Sequence, residues 1–198
     1  MFITIDGPNG SGKSTLVDSL VTMCKLSGKQ VAASCEPTKS ALGVFLRGSE
    51  SLLSGIPLAC VVAGDRYLQL ETDILPALSN GLVAISDRYV ESSFVFQSLD
   101  GVDWDFIWDL NCHVLIPDLS INLIALPDTL RNRLAGRAMH SRFERSWRSE
   151  DELALYAKAR GFLSTRGYKF VVVDSESQAQ DEICAMLYKQ LFEREDAH

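Results

Sequence analysis

Short apolar runs alternate along the chain with longer stretches in which apolar residues recur every three or four positions. The short runs predict β-strands at residues 2–5, 30–34, 82–86, 120–125 and 168–173. The longer repeats predict helices at residues 14–26, 57–78 and 178–192, the second of them bent near Pro76. Because apolar strands that alternate with helices favour a covered parallel sheet, we expect an α/β fold with five parallel strands and helices on both faces.

A glycine-rich turn follows the first predicted strand and opens the first predicted helix. Residues 7–14 read Gly-Pro-Asn-Gly-Ser-Gly-Lys-Ser and match the phosphate-binding pattern G-x-x-x-x-G-K-S/T. Glycines let backbone N–H groups turn around phosphate oxygens, and the helix adds the positive end of its dipole. In this pattern Lys13 reaches the β- and γ-phosphates, while the Ser14 hydroxyl takes a position on Mg²⁺. The sequence therefore predicts a P-loop nucleotide-binding fold that takes ATP with Mg²⁺. The predicted ATP-binding residues are Gly7, Asn9, Gly10, Ser11, Gly12, Lys13, Ser14 and Thr15.

An acidic residue, Asp87, directly follows the apolar run at 82–86. An apolar strand that ends in a carboxylate has the form of a Walker B element, which supports the metal in P-loop enzymes. Since the carboxyl ends of parallel strands meet at one edge of a sheet, Asp87 is expected to lie beside the phosphate loop. We therefore predict Ser14 and Asp87 as the metal-binding residues.

Arginines are concentrated at Arg88 and between residues 131 and 148. Phosphoryl transfer depends mostly on positioning and charge stabilisation, and one arginine at the transferred group contributes about 10³ to 10⁵ in rate. Glycine and serine interrupt the second cluster, so we interpret residues 136–147 as a lid that closes Arg137 and Arg142 over the phosphates. For Arg131, Arg145 and Arg148, a solvated helix face is an equally open interpretation.

The composition narrows the class of protein further. The chain has 198 residues and a formal net charge of −7, so it fits one domain and lacks the basic surplus of a generic nucleic-acid binder. No run of apolar residues is as long as the roughly 18 to 20 that a membrane-spanning helix needs, and the N-terminal residues do not have the pattern of a signal peptide. We therefore expect one cytosolic kinase-like domain over residues 1–198, without membrane or nucleic-acid partners.

Several motifs together resemble the thymidylate kinase (dTMP kinase) family over about residues 1–175. The most specific match is Asp-Arg-Tyr-Val-Glu-Ser-Ser at 87–93 followed by Phe96 and Gln97, where the family has D-R-Y-x-x-S-S-x-x-Y-Q. Further matches are Glu-Pro at 36–37, Asp-Arg at 65–66, Pro-Asp-Leu at 117–119 and Arg-Phe-Glu at 142–144.

The resemblance implies ATP-dependent phosphoryl transfer to a nucleoside 5′-monophosphate, most simply dTMP to dTDP, by a homodimer. It implies that Arg88 holds the acceptor phosphate, Arg66 hydrogen-bonds the base, and Phe96 crowds the 2′ position of the sugar. The implied acceptor-binding residues are Asn9, Glu36, Arg47, Val62, Arg66, Arg88, Ser92, Ser93, Phe96 and Gln97. The implied catalytic residues are Lys13, Arg88, Arg137 and Arg142.

Three departures from the family pattern fall on the acceptor side. Asn9 stands where the family has Asp or Glu, Cys35 replaces the Arg of Arg-Glu-Pro, and Val62 stands where we place a Phe that stacks on thymine. A kinase for a modified or different pyrimidine nucleotide therefore remains open. Two more interpretations stay open beside it: a nucleoside kinase with Glu36 as base, and a nucleotide-binding regulator without catalysis.

Overall fold

Five parallel strands form the sheet on which the fold is built. The computed structural model describes residues 1–49, 52–136, 148–177 and 179–192. The strands are β1 (Phe2–Asp6), β2 (Val31–Cys35), β3 (Val83–Asp87), β4 (Leu119–Ile124) and β5 (Phe170–Asp174). All neighbouring pairs are parallel and the order across the sheet is β2-β3-β1-β4-β5, which confirms the predicted fold class.

Helices cover both faces of this sheet. They are α1 (Lys13–Leu26), α2 (Ala41–Gly48), α3 (Gly55–Gln69), α4 (Leu75–Ser79), α5 (Val90–Leu99), α6 (Trp104–Asn111), α7 (Pro127–Ala135), α8 (Ser149–Ser164) and α9 (Gln180–Phe192). Within the described ranges, no helix is both long enough and apolar enough to cross a membrane.

The central strand β1 supplies side chains to two separate hydrophobic clusters. Ile3 and Ile5 pack in one cluster with residues of α1 and α9, whereas Phe2 packs in the other with residues of α5 and α8. Successive strand residues point to opposite faces, so a strand with helices on both sides buries residues on both faces. All five residues of β1 are therefore buried, including the polar Thr4 and Asp6.

The long helix predicted over residues 57–78 is divided in the structure. Helix α3 ends at Gln69, a π-helical turn spans Leu70–Ile74, and α4 follows from Leu75. The Leu75 amide donates to the Leu70 carbonyl, five residues back. Pro76 has no amide hydrogen and cannot continue the regular ladder, so the wider turn directly before it is consistent with the predicted disruption.

The carboxyl ends of β1, β2 and β3 bring distant residues together. Asp87 at the end of β3 pairs in register with Ile5 of β1 on one side and with Cys35 of β2 on the other. Three parts of the chain therefore lie at the same edge of the sheet: the phosphate loop (residues 7–14), the segment after β2 (residues 36–40) and Arg88. The sheet register therefore assembles the predicted site.

Gly43 offers a test of how closely the segment after β2 packs on α2. A Cβ atom at Gly43 would lie 2.0 Å from the Thr38 carbonyl oxygen, whereas one at Gly48 in the same helix would meet no atom within 4 Å. We expect Gly43→Ala to destabilise the protein by about 1 to 3 kcal/mol through overpacking. The control Gly48→Ala, at the last residue of the helix, should change stability by less than about 0.5 kcal/mol, because the added methyl group meets no neighbouring atom. Urea unfolding measures both, and equal midpoints would contradict the packing described.

Candidate active site

At two positions of the phosphate loop, Gly7 and Gly10, the backbone conformation and the close neighbours leave room only for glycine. Gly7 has φ +144°, and an added Cβ would lie 2.3 Å from the Leu123 carbonyl oxygen of β4. Gly10 has φ +83°, and its added Cβ would lie 2.9 Å from the Leu130 carbonyl oxygen of α7. The loop backbone therefore presses against β4 and α7, and α1 begins immediately after it at Lys13.

The Lys13 ammonium folds back over this loop. Its Nζ donates to the Gly7 carbonyl at 2.9 Å and to the Pro8 carbonyl at 2.8 Å, and the side chain is buried. Burial lowers the pKa of Lys13 to about 7, and the neighbouring Arg88 charge contributes to the same shift. The lysine is therefore placed where the negative charge of a bound phosphate would stabilise its protonated form.

Ser14 and Asp87 meet at the start of α1 and the end of β3. The Ser14 hydroxyl donates to Asp87 Oδ2 at 2.7 Å. Asp87 Oδ1 is buried and, among the described residues, has no hydrogen-bond partner. A hydroxyl and an unpartnered carboxylate oxygen are the oxygen ligands that Mg²⁺ prefers. These two residues therefore fit the metal site that the sequence predicts.

A cavity of about 310 Å³ opens between the phosphate loop and the segment after β2. It is lined by six of the eight predicted ATP-binding residues, namely Asn9, Gly10, Gly12, Lys13, Ser14 and Thr15. Glu36, Arg47 and Arg88 of the predicted acceptor site line the same cavity, together with Cys35 and Asp87. Three cationic side chains thus face one space, as a site for several phosphates requires.

Arg88 is held by an unusual backbone conformation and by several contacts. It has φ +74°, which is uncommon for a residue other than glycine, and its amide donates to the Ile5 carbonyl at 2.9 Å. The guanidinium donates to Asn9 Oδ1 at 2.7 Å and to the Ser92 hydroxyl at 3.2 Å. It also lies over the Phe96 ring, with its Cζ 5.2 Å from the ring centroid. Backbone strain of this kind is concentrated at functional sites, where the surrounding contacts maintain it.

The Asp-Arg pair of α3 anchors the segment after β2. Arg66 is fully buried and donates from Nε to Glu36 Oε1 at 2.8 Å and from Nη2 to Glu36 Oε2 at 2.5 Å. Arg66 also donates to Asn111 and to the Tyr89 carbonyl. Asp65 accepts from the Thr38 amide at 2.7 Å, so both members of the pair bind the segment. Arg66 thus has a structural role that the sequence did not predict.

The remaining predicted acceptor residues lie on α3 and α5. Ser93, Phe96 and Gln97 are buried on α5, and Gln97 Oε1 has no hydrogen-bond partner among the described residues. Val62 is half-buried on α3. These four residues and Arg66 do not line the 310 Å³ cavity.

The arginine cluster is only partly described. Arg137, Arg142 and Arg145 lie outside the described residues. Arg131 pairs with Glu150 and Asp128, and about half of its side chain is exposed, which fits a solvated helix face. Arg148 is also exposed and pairs with Asp151 three residues on.

Several residues of the site carry no motif and were not predicted. Glu152, Tyr156 and Arg160 recur every four residues along α8, and all three bind groups at the carboxyl edge of the sheet. Asp6, at the end of β1, accepts from the Ser92 hydroxyl at 2.5 Å, and burial raises its pKa to about 6. The signal that could have revealed the α8 residues is a polar stripe at helical spacing, which also describes an ordinary solvated face.

The chain is similar in sequence to a known protein family. The family model described as thymidylate kinase matches residues 5–183. A probable thymidylate kinase of Caldivirga maquilingensis is 36% identical over 150 residues, which cover 74% of this chain and 73% of that protein. A probable thymidylate kinase of Archaeoglobus fulgidus is 31% identical over 182 residues, 91% of this chain and 90% of its own length. A thymidylate kinase of Xanthomonas oryzae pv. oryzae is 34% identical over 139 residues, with 69% of this chain and 61% of that protein covered.

The lowered pKa of Lys13 predicts that ATP binding is linked to proton uptake. Above its pKa of about 7 the lysine is neutral in the free protein, and the arriving triphosphate raises that pKa. Binding at about pH 8 should therefore take up close to one proton at Lys13, whereas at about pH 6 the lysine is already charged. Calorimetric titrations in buffers of different ionisation enthalpy measure the uptake.

Lys13→Arg is the matched control for this measurement, because a guanidinium stays charged over the same pH range. The variant should bind ATP at about pH 8 with little proton uptake. Equal uptake by the two proteins would contradict the assignment of the proton to Lys13.

Proposed function

Because this chain belongs to the thymidylate kinase family, we propose that it transfers the γ-phosphoryl group of ATP to the 5′-phosphate of dTMP and thereby forms dTDP. The observation that carries the proposal is the placement of Lys13 and Arg88 on one cavity, with Ser14 and Asp87 beside them. A lysine of a phosphate loop addresses the donor triphosphate, and a second fixed cation suits an acceptor that already bears a phosphate.

The chain's own residues divide the work of this transfer. Lys13 binds the β- and γ-phosphates of the donor, and Arg88 holds the acceptor phosphate in line with them. The attacking oxygen of that phosphate is already anionic, so no strong general base is needed. Ser14 and Asp87 would hold Mg²⁺, which supplies charge neutralisation on the donor phosphates. Arg137 and Arg142 are proposed to close over the transferred group from a lid at residues 136–147.

Arg88 is the group of this set that the fold positions most firmly. Its backbone is fixed by the Ile5 carbonyl, and its guanidinium by Asn9, Ser92 and the Phe96 ring. A donor that is oriented before the substrate arrives costs no reorganisation during the reaction. We therefore interpret the positive φ of Arg88 as backbone strain that lowers stability but positions the guanidinium for acceptor binding.

The resemblance implies that Arg66 hydrogen-bonds the base, but most of its N–H groups already have partners in the protein. Four of its five N–H groups donate to Glu36, Asn111 and Tyr89, as judged within the described residues. We propose that the remaining Nη1 hydrogen and the unpartnered Gln97 Oε1 are the groups that reach the base. Ser93 and Phe96 would then complete the base and sugar pocket on α5.

The contacts of Glu36 bear on the alternative of a nucleoside kinase. A general base must reach the proton of a sugar hydroxyl with a free oxygen. Both carboxylate oxygens of Glu36 accept hydrogen bonds from Arg66, which orient the carboxylate but leave a lone pair on each oxygen. The nucleoside kinase is the weaker candidate because the matching family consists of thymidylate kinases, whose acceptor already bears a phosphate.

A different pyrimidine nucleotide as acceptor is the second candidate function. Cys35, which stands where the family has an arginine, lines the cavity beside Arg88 and Asp87. The wall facing the acceptor is less cationic there than the family pattern implies. Comparing the turnover of dTMP with that of other pyrimidine nucleotides distinguishes the two candidates.

We propose that residues 1–198 form one kinase domain that acts as a homodimer in the cytosol.

A screen of acceptors tests the function directly. ADP release is measured with dTMP, dUMP, dCMP, UMP, 5-substituted deoxyuridylates and thymidine as acceptors. We expect dTMP to have the highest kcat/KM and thymidine to be inactive. A strong preference for another monophosphate would favour the second candidate function over dTMP phosphorylation. ATP hydrolysis without transfer to any acceptor would refute both functions.

Arg88→Met tests the acceptor-phosphate role within this assay. Loss of one preorganised cation should lower kcat/KM for dTMP by about 10² to 10³-fold, while the dissociation constant of ATP changes little. Arg131→Met is the matched control, because that arginine is half exposed and pairs only with surface carboxylates among the described residues. Equal losses in the two variants, or an equal loss of ATP binding in Arg88→Met, would contradict the assignment.

Val62→Phe tests the base pocket. Stacking of a base on an aromatic ring contributes about 1 to 3 kcal/mol, so the variant should lower KM for dTMP by about 5- to 150-fold. Val61→Phe introduces the same ring at the neighbouring half-buried position and should not lower KM. If Val62→Phe leaves KM unchanged or raises it, Val62 does not face the base.

A further inference from the structure

One face of α8 projects three polar side chains towards the carboxyl edge of the sheet. Glu152 accepts from Asn9, the Tyr156 hydroxyl lies 3.4 Å from Arg88 Nη1, and Arg160 donates to Asn122 at 2.9 Å. Residues four apart lie above one another on a helix, so a single face makes all these contacts. Glu152 is only 3% exposed and Tyr156 is fully buried. The stripe therefore belongs to the interior of the site.

Glu152 holds Asn9 at two points. The Asn9 amide nitrogen of the backbone donates to Glu152 Oε2 at 2.8 Å, and Asn9 Nδ2 donates to Glu152 Oε1 at 3.1 Å. Because the side-chain nitrogen of Asn9 faces Glu152, its oxygen must face the other way. That oxygen accepts from Arg88 Nη2 at 2.7 Å. The three residues thus form one continuous chain from α8 through the phosphate loop to Arg88.

The carboxylate of Glu152 matches the two donors that Asn9 presents to it. Burying a carboxylate is costly unless nearby groups compensate it. A glutamine has a single oxygen and could accept only one of the two hydrogen bonds, with its NH2 group set against the Asn9 Nδ2 donor. Within the described residues, Glu152 has no direct ion pair, and its hydrogen-bonded connection to Arg88 runs through the Asn9 side chain.

On the basis of the proposed function, we propose that Glu152 is a positioning residue for Arg88 and acts through Asn9. Glu152 also carries a negative charge that Asn9, as an amide, does not supply to the phosphate loop. In this arrangement Glu152 fixes the direction of the Asn9 amide, and the amide fixes the guanidinium that receives the acceptor phosphate. The identities of residues 9 and 152 are then interdependent. A carboxylate at one position requires an amide at the other.

Exchange of the two groups tests this interdependence. The variants are Glu152→Gln, Asn9→Asp and the double variant, each assayed for kcat and KM with dTMP and for KM with ATP. Glu152→Gln removes the charge, and Asn9→Asp sets two carboxylates about 3 Å apart, where they repel. Each single variant should lower kcat/KM for dTMP by about 10- to 150-fold, the range expected for a hydrogen bond to a charged group.

The double variant restores one carboxylate, one amide and every hydrogen bond of the pair. We expect its kcat/KM for dTMP to recover to within about fivefold of the unmodified protein, which is strong non-additivity for residues in contact. KM for ATP should change much less than kcat/KM for dTMP in all three variants, because the Asn9 side chain faces Glu152 and Arg88 while Lys13 keeps its contacts with the loop carbonyls. A merely structural contact would change unfolding in urea without this selective and reversible loss on the acceptor side.

Glu150→Gln is the matched control on the same helix. Glu150 is about half exposed and pairs with Arg131 at the surface, so its kinetic constants should stay within about twofold of the unmodified protein. The proposal is overturned if Glu152→Gln turns over dTMP as the unmodified protein does, or if the losses of the two single variants multiply in the double variant. If the unmodified protein does not turn over dTMP, the proposed function fails instead. The same cycle is then measured with the acceptor found in the screen, or with inorganic phosphate binding by calorimetry if no acceptor is found.

Discussion

The carboxyl edge of β1 and β3 concentrates charged groups around one cavity. Lys13 and Asp6 are buried there, and Asp87 and Arg88 join them at the end of β3. Buried charges are stable only when neighbouring groups compensate them. Much of the surrounding structure meets this requirement, since the loop carbonyls hold Lys13, Ser14 holds Asp87, and Asn9 with Ser92 holds Arg88.

Two hydrogen-bond networks, one from α3 and one from α8, hold residues that line the cavity. In the first, the Asp-Arg pair of α3 binds Glu36 and Thr38 and so fixes the segment after β2. In the second, Glu152 and Tyr156 of α8 hold Asn9 and Arg88. Both networks use a fully or almost fully buried charged side chain, Arg66 or Glu152, to orient groups that line the cavity. The cavity walls are thus set by polar contacts as well as by the hydrophobic clusters.

The sequence predicted the donor side of the site more completely than the acceptor side. The phosphate loop and the Ser14–Asp87 pair are local or follow directly from parallel strands, and the structure brings them together as expected. Arg66 is different, because its motif indicated a base contact while most of its donors hold Glu36 and neighbouring groups. The break at Leu70–Ile74 was placed only approximately, since Pro76 indicates a disruption but not the turn that accommodates it.

By itself the sequence determined the five strands, the phosphate loop and the family, because apolar periodicity and a contiguous motif depend on neighbours along the chain. Only the tertiary structure decided what surrounds Arg88. Glu152 lies 143 residues beyond Asn9 and belongs to no motif, and its spacing on α8 also fits a solvated helix face. Helix α8 packs against α5 and α7, and this packing turns that face towards the phosphate loop. It is this packing that supplies a carboxylate next to the asparagine of the phosphate loop.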